Sequence, residues 1–131
     1  MNTKTVRKLA SIRRIDAVRP IPDADAIECA TIGGWTCVVK KGEFKEGDLA
    51  VYCEIDSWIP HEVAPFLSKG NFPRVYNEVK GERLRTVKLR GQLSQGLLLP
   101  LTSAGAFALN EGDDVSESLN IVKWEMPMNA Q

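Results

Sequence analysis

Residues 45–55 read Lys45-Glu46-Gly47-Asp48-Leu49-Ala50-Val51-Tyr52-Cys53-Glu54-Ile55. A turn tetrapeptide is followed by Leu49, Val51, Cys53 and Ile55 alternating with Ala50, Tyr52 and Glu54. That period of two predicts a half-buried β-strand, the clearest in the chain. Upstream, Ile27–Ile32 and Trp35–Lys40 read as two strands joined by Gly33-Gly34, a pair able to take the positive φ angles of a two-residue hairpin loop. Trp35, Cys37 and Val39 share one face of the second strand. Residues 9–18 carry β-branched side chains that suggest a strand, although Leu9, Ile12 and Ile15 also fit a helix face. Pro22-Asp23-Ala24-Asp25 is turn chemistry.

Downstream, Ile59-Pro60 ends the central strand. A short helical turn is expected around residues 63–67. Residues 70–81 look like a long loop, with Gly70, Pro73, Asn77 and Gly81 spread along it. Residues 83–89 form a basic strand and residues 96–101 an apolar one. A short apolar helix is expected at 103–109, a turn at 110–114 and a last strand within 115–124. Five or six short strands with one or two small helices predict a mainly β chain arranged as a small barrel.

The 131 residues match one domain and are enough for a hydrophobic core. Cys29, Cys37 and Cys53 are odd in number and unclustered, so they read as buried reduced thiols rather than disulfides or zinc ligands. Reduced thiols point to a cytoplasmic location. No apolar run approaches the roughly 20 residues of a membrane span, so no membrane partner is expected. The 17 Lys+Arg and 17 Asp+Glu cancel. Counted by segment, however, residues 1–20 hold six basic and one acidic side chain, 21–62 three and nine, 63–100 seven and two, and 101–131 one and five. Alternating blocks leave room for a confined basic face.

No catalytic constellation is visible. His61 is the single histidine, Asp23 and Asp25 sit in a turn, and no Gly-rich phosphate loop or metal-ligand cluster is present. The informative element is Arg83-Leu84-Arg85-Thr86-Val87-Lys88-Leu89-Arg90. Lys and Arg on an edge strand can serve only to block aggregation. They can also form a row of donors roughly 6.6–7 Å apart, near the spacing of successive phosphates. Lys40 and Lys41 extend that row. Trp35, Tyr52 and Trp58 offer stacking platforms or core packing.

Several segments, in order, resemble one family. They are Ile21-Pro22-Asp23-Ala24-Asp25-Ala26-Ile27-Glu28, Gly34-Trp35, Val38-Val39-Lys40-Lys41-Gly42-Glu43-Phe44 and Gly47-Asp48-Leu49-Ala50-Val51-Tyr52. Glu54-Ile55-Asp56-Ser57, Leu89-Arg90-Gly91-Gln92-Leu93-Ser94-Gln95-Gly96-Leu97 and the closing Lys123-Trp124-Glu125-Met126-Pro127 continue the series. Together they resemble the N-terminal domain of the bacterial and phage ATP-dependent RNA ligases that seal 3′-OH/5′-phosphate breaks in duplex RNA. The Pro-Asp-Ala-Asp turn and the Arg-Gly-x-x-Ser-x-Gly-Leu loop also resemble, more weakly, the tRNA-binding OB domains of aminoacyl-tRNA synthetases.

The resemblance implies an OB-fold over residues 1–124. Residues 125–131 would begin a linker to a nucleotidyltransferase domain absent from this sequence. In that domain a K-x-D-G lysine forms a lysyl-AMP intermediate with ATP and a divalent metal. None of the nine lysines here stands in such a motif, so no activity or cofactor is expected of this chain alone. The implied role is accessory RNA binding that positions nicked or broken duplex ends. Arg83, Arg85, Lys88 and Arg90 would face phosphates, Lys40 and Lys41 the rim, and Gln92, Ser94 and Gln95 would offer neutral donors. Alternatives are a module that docks on the catalytic domain, or a stand-alone tRNA-binding-type protein.

Overall fold

Asp16 divides the first basic and apolar stretch into two strands and turns a corner between sheets. In the computed structural model, which describes residues 8–104 and 110–126, β1 (Ala10–Arg14) and β2 (Ala17–Pro20) belong to different sheets. At the corner Ile15 is buried. Its N–H donates to the Asp48 carbonyl and its carbonyl accepts from Gly47. The Asp16 carboxylate accepts the Gly33 N–H at 2.7 Å. Extended backbone is therefore the outcome for residues 9–18, because β1 pairs with β5 and β2 with β3 on either side of that corner.

β3 (Ile27–Ile32) and β4 (Trp35–Lys40) form the expected hairpin, paired from Ile32 with Trp35 to Ile27 with Lys40. Gly33 and Gly34 sit at φ 52° and 93°, the left-handed geometry that matches strand twist in a two-residue loop. β2 adds to β3, giving the sheet order β2-β3-β4.

β5 (Leu49–Cys53) is the middle strand of a second sheet, between β1 and β11 (Leu97–Pro100). It is buried on both faces rather than one. Val51 and Cys53 pack with Ile12, Ile59, Leu99 and Ile121. Ala50 and Tyr52 pack with Ile15, Ile32, Cys37, Val39 and Leu98. The core thus lies on two sides of one strand. Asp56, at φ 63°, ends that run.

The next segment builds a third sheet in the order β12-β6-β8-β7, from β6 (Ser57–Pro60), β7 (Arg74–Tyr76), β8 (Val79–Arg83) and β12 (Val122–Lys123). The supposed loop over 70–81 is largely the β7–β8 hairpin. Asn77 and Glu78 occupy its turn at φ 51° and 66°. Asn takes this left-handed geometry readily and Glu does not, which is why the turn reads poorly in sequence. Short 3-10 turns cover Pro65–Ser68 and Leu101–Ala104. The expected helix over 103–109 lies mostly outside the described residues. The last expected strand shrinks to β12, because residues 115–121 close local turns such as Leu119 N–H to the Val115 carbonyl.

The basic stretch is not one strand. β8 ends at Arg83, Leu84 is buried, and β9 (Thr86–Leu89) begins a separate hairpin with β10 (Gln92–Gln95). Breaks at Asp16, Asp56 and Leu84, the β7–β8 hairpin in the supposed loop, and β10 in the segment between the basic and apolar strands explain why the described residues hold twelve short strands instead of five or six. No helix among them is long and apolar enough to cross a membrane.

Candidate nucleic-acid interface

The β9–β10 ribbon carries most of the sequence-derived candidates. β9 is exposed along its whole length. The ribbon turns at Arg90 and Gly91, with φ 51° and 81°. Arg85, Lys88 and Arg90 are exposed. Gln92 is half-buried and its Nε2 donates to the Leu93 carbonyl at 2.9 Å.

Ser94 is buried. Its Oγ accepts the Val38 N–H at 2.9 Å. The Gln95 Oε1 accepts the Thr36 N–H at 3.3 Å, and the Thr36 hydroxyl donates to the Leu93 carbonyl at 2.9 Å. The Gln95 carbonyl accepts the Tyr52 hydroxyl at 2.7 Å. Three of these bonds fasten β10 along β4 and the fourth ties it to β5, each through a side chain where a ladder would use backbone groups alone. Gly96 completes the seam at φ 101°. A Cβ there would run into the Cys53 carbonyl and the Tyr52 ring. The Arg-Gly-x-x-Ser-x-Gly pattern therefore has a physical meaning: a turn, an inward acceptor and a close approach.

Lys40 and Lys41 are exposed at the end of β4. Lys40 and Leu89 line a common groove of about 310 Å³ with Val38 and Leu97–Pro100. The structure thus brings Lys40 to the ribbon's side.

Arg83 stands apart from the ribbon. Its Nη2 lies 2.8 Å and its Nε 2.9 Å from the Asp56 Oδ1. Its guanidinium carbon sits 3.9 Å from the centre of the Trp124 ring. Such a cation, paired and stacked, holds a fixed plane. The even row of four cations is interrupted here, because Leu84 turns inward between Arg83 and Arg85.

Around Arg83 the sequence reading missed Tyr76, Arg74 and the partner Asp56. Trp58 and Tyr76 are tilted rings 5.3 Å apart, and Tyr76 and Trp124 are 6.4 Å apart. The Trp124 N–H donates to the Asp56 carbonyl and the Glu125 N–H to the Tyr76 hydroxyl. Alternation through Val75, Tyr76 and Val79 about Asn77 was the available signal. Of the proposed platforms, Tyr52 and Trp58 are core residues, while Trp35 is half-buried and stacked on Tyr52 at 6.4 Å.

The thiols are buried and unpaired with one another. Burial, then the neighbouring Cys29, pushes the Cys37 thiol up to about 12, against a smaller opposing effect of the Gln95 carbonyl. Burial and then Cys37 push Cys53 up to about 12. Neither is a nucleophile near neutral pH.

Comparisons with known proteins agree with the fold. A family described as an OB-fold domain matches residues 9–101. The chain is similar to the structure of Naegleria gruberi RNA ligase with PPi, at 53% identity and a TM-score of 0.84. That match covers 95% of this chain and 37% of the ligase. A variant of the same ligase with ATP and Mn gives 50% identity, a TM-score of 0.82 and coverage of 94% and 37%. The chain therefore spans little more than a third of the length of these proteins. None of the curated proteins matches it.

Proposed function

This chain belongs to the OB-fold domain family, and from that premise we propose that it is the RNA-engaging domain of an ATP-dependent RNA ligase. The observation that carries the reading is the 53% identity to an RNA ligase across 95% of the chain. In this reading the β9–β10 ribbon presents Arg85, Lys88 and Arg90 to phosphates, with Lys40 and Lys41 beside it. Ser94 and Gln95 hold the ribbon in place.

Contacts of this kind position a duplex without reading its sequence. Their use in sealing is orientation: a 3′-OH held in line with an activated 5′-phosphate reacts as if intramolecular. ATP and a divalent metal belong, in this proposal, to a nucleotidyltransferase domain outside these residues. Among the described residues no three His, Cys, Asp or Glu side chains are grouped to hold a metal.

The test is binding of nicked duplex RNA by this chain across a salt series. Replacing Arg85, Lys88 and Arg90 together by Gln should weaken binding and flatten the salt dependence by about 2.7 units of log–log slope. Unchanged affinity and slope would remove the ribbon from the interface.

A further inference from the structure

A second concave site adjoins the start of the ribbon, between the β7–β8 hairpin and residues 121–126, and shares Arg85 with it. It is a cleft of about 330 Å³ lined by Arg74, Tyr76, Glu82, Arg83, Arg85 and Trp124, among others. We propose that this cleft seats one unpaired RNA nucleotide, its base against the Tyr76–Trp124 wall and its phosphate between Arg74 and Arg85. The proposal rests on the RNA-binding reading above and names the part of the RNA that this adjoining site takes.

Size argues for a single nucleotide. The cleft is at the lower bound of small-ligand pockets, about 300 Å³, and cannot admit a duplex. Charge argues for a phosphate. Arg85 has no ion-pair partner among the described residues, and Arg74 is 73% exposed with Glu82 only at 3.9 Å. Both guanidiniums are open to the two-pronged contact that phosphate oxygens favour. Arg83 is different. Its bonds to Asp56 and its place on the Trp124 ring make it part of the wall.

Rigidity argues for stacking. The Trp58 Nε1–H donates to the Val79 carbonyl at 3.0 Å. Tyr76 is braced between Trp58 and Trp124. Rings fixed in this way accept any base on a π-face, with no sequence preference. A paired base keeps its faces inside the helix, whereas one left unpaired at a break has them free.

The test compares two RNAs: a nicked duplex, and the same duplex with one unpaired nucleotide at the 3′ side of the nick. The native chain should bind the second more tightly, about fivefold or more. Arg74→Gln, at an exposed position that leaves the core intact, should abolish the preference while retaining binding to the plain nick. Lys88→Gln should weaken both RNAs equally and keep the preference. Equal binding of both RNAs by the native chain overturns the proposal and leaves the ribbon reading standing. Failure to bind either RNA overturns both. A preference that survives Arg74→Gln, with loss of docking to a separately added ligase catalytic domain, overturns it in favour of a protein partner.

Discussion

The β3–β4 and β9–β10 hairpins share a turn geometry and differ in what they are fastened to. β3–β4 pairs six positions and buries Ala30, Ile32, Cys37 and Val39 against β5. β9–β10 pairs four, and all of β9 faces solvent. The first is held by apolar area removed from water. The second is held by Ser94, Gln95 and the close approach at Gly96. A ribbon attached through a few polar bonds can carry Lys88 and Arg90 without burying charge. A core hairpin cannot, since an unpaired buried charge is costly.

The largest effect is expected where the ribbon's fastening meets the core. Gly96→Ala combines a positive φ with contacts 2.8 Å from the Tyr52 ring and hydroxyl, and should destabilise by about 3 kcal/mol or more. Gly34→Ala has the same kind of φ but open space around it, and should cost about 1–2 kcal/mol. Urea unfolding of the two variants separates the contributions. Equal losses would mean that the seam imposes no steric demand.

Alkaline pH should act on the core hairpin and on β5 beside it. The Cys37 and Cys53 thiols rise from an ordinary value near 9 to about 12 on folding. The folded state therefore holds protons that the unfolded chain releases. Stability is intact below pH 9 and falls as pH rises toward 12, by about 1.4 kcal/mol per pH unit for each thiol. Unfolding free energies at pH 8, 9 and 10 measure the slope, and Cys37→Ala should reduce it.

The smallest of the three belongs to the seam itself. Ser94→Ala strands the N–H of half-buried Val38 and should cost about 1 kcal/mol. Amide exchange should quicken at Val38, while Ala30 and Cys37, paired within the β3–β4 ladder, keep their protection. Uniform loss of protection would show that the two hairpins are one cooperative unit.

Much of this contrast was legible in residues. Gly33-Gly34 between alternating strands announced the core hairpin, and the basic run announced an exposed strand but not its partner β10. Two features escaped. β5 reads as half-buried because Tyr52 is amphipathic; only the arrival of β4 and β11 on its second side makes that face core. Residues 83–90 read as one strand because each residue suits a strand. Leu84, taken inward to the core, breaks the row, and pattern alone does not say which apolar residue a distant core will claim. The Arg83–Asp56–Trp124 group joins segments remote in sequence, so its members looked like a phosphate contact, part of a family-like segment and a closing motif.

The seam between β4 and β10 has a mechanical consequence. A joint made through side chains can part without tearing the ladder on either side of it. Loss of those bonds would leave the four pairs of the β9–β10 ribbon and the register of β2, β3 and β4 intact. Any yielding between the two hairpins is thereby confined to one narrow line of the molecule.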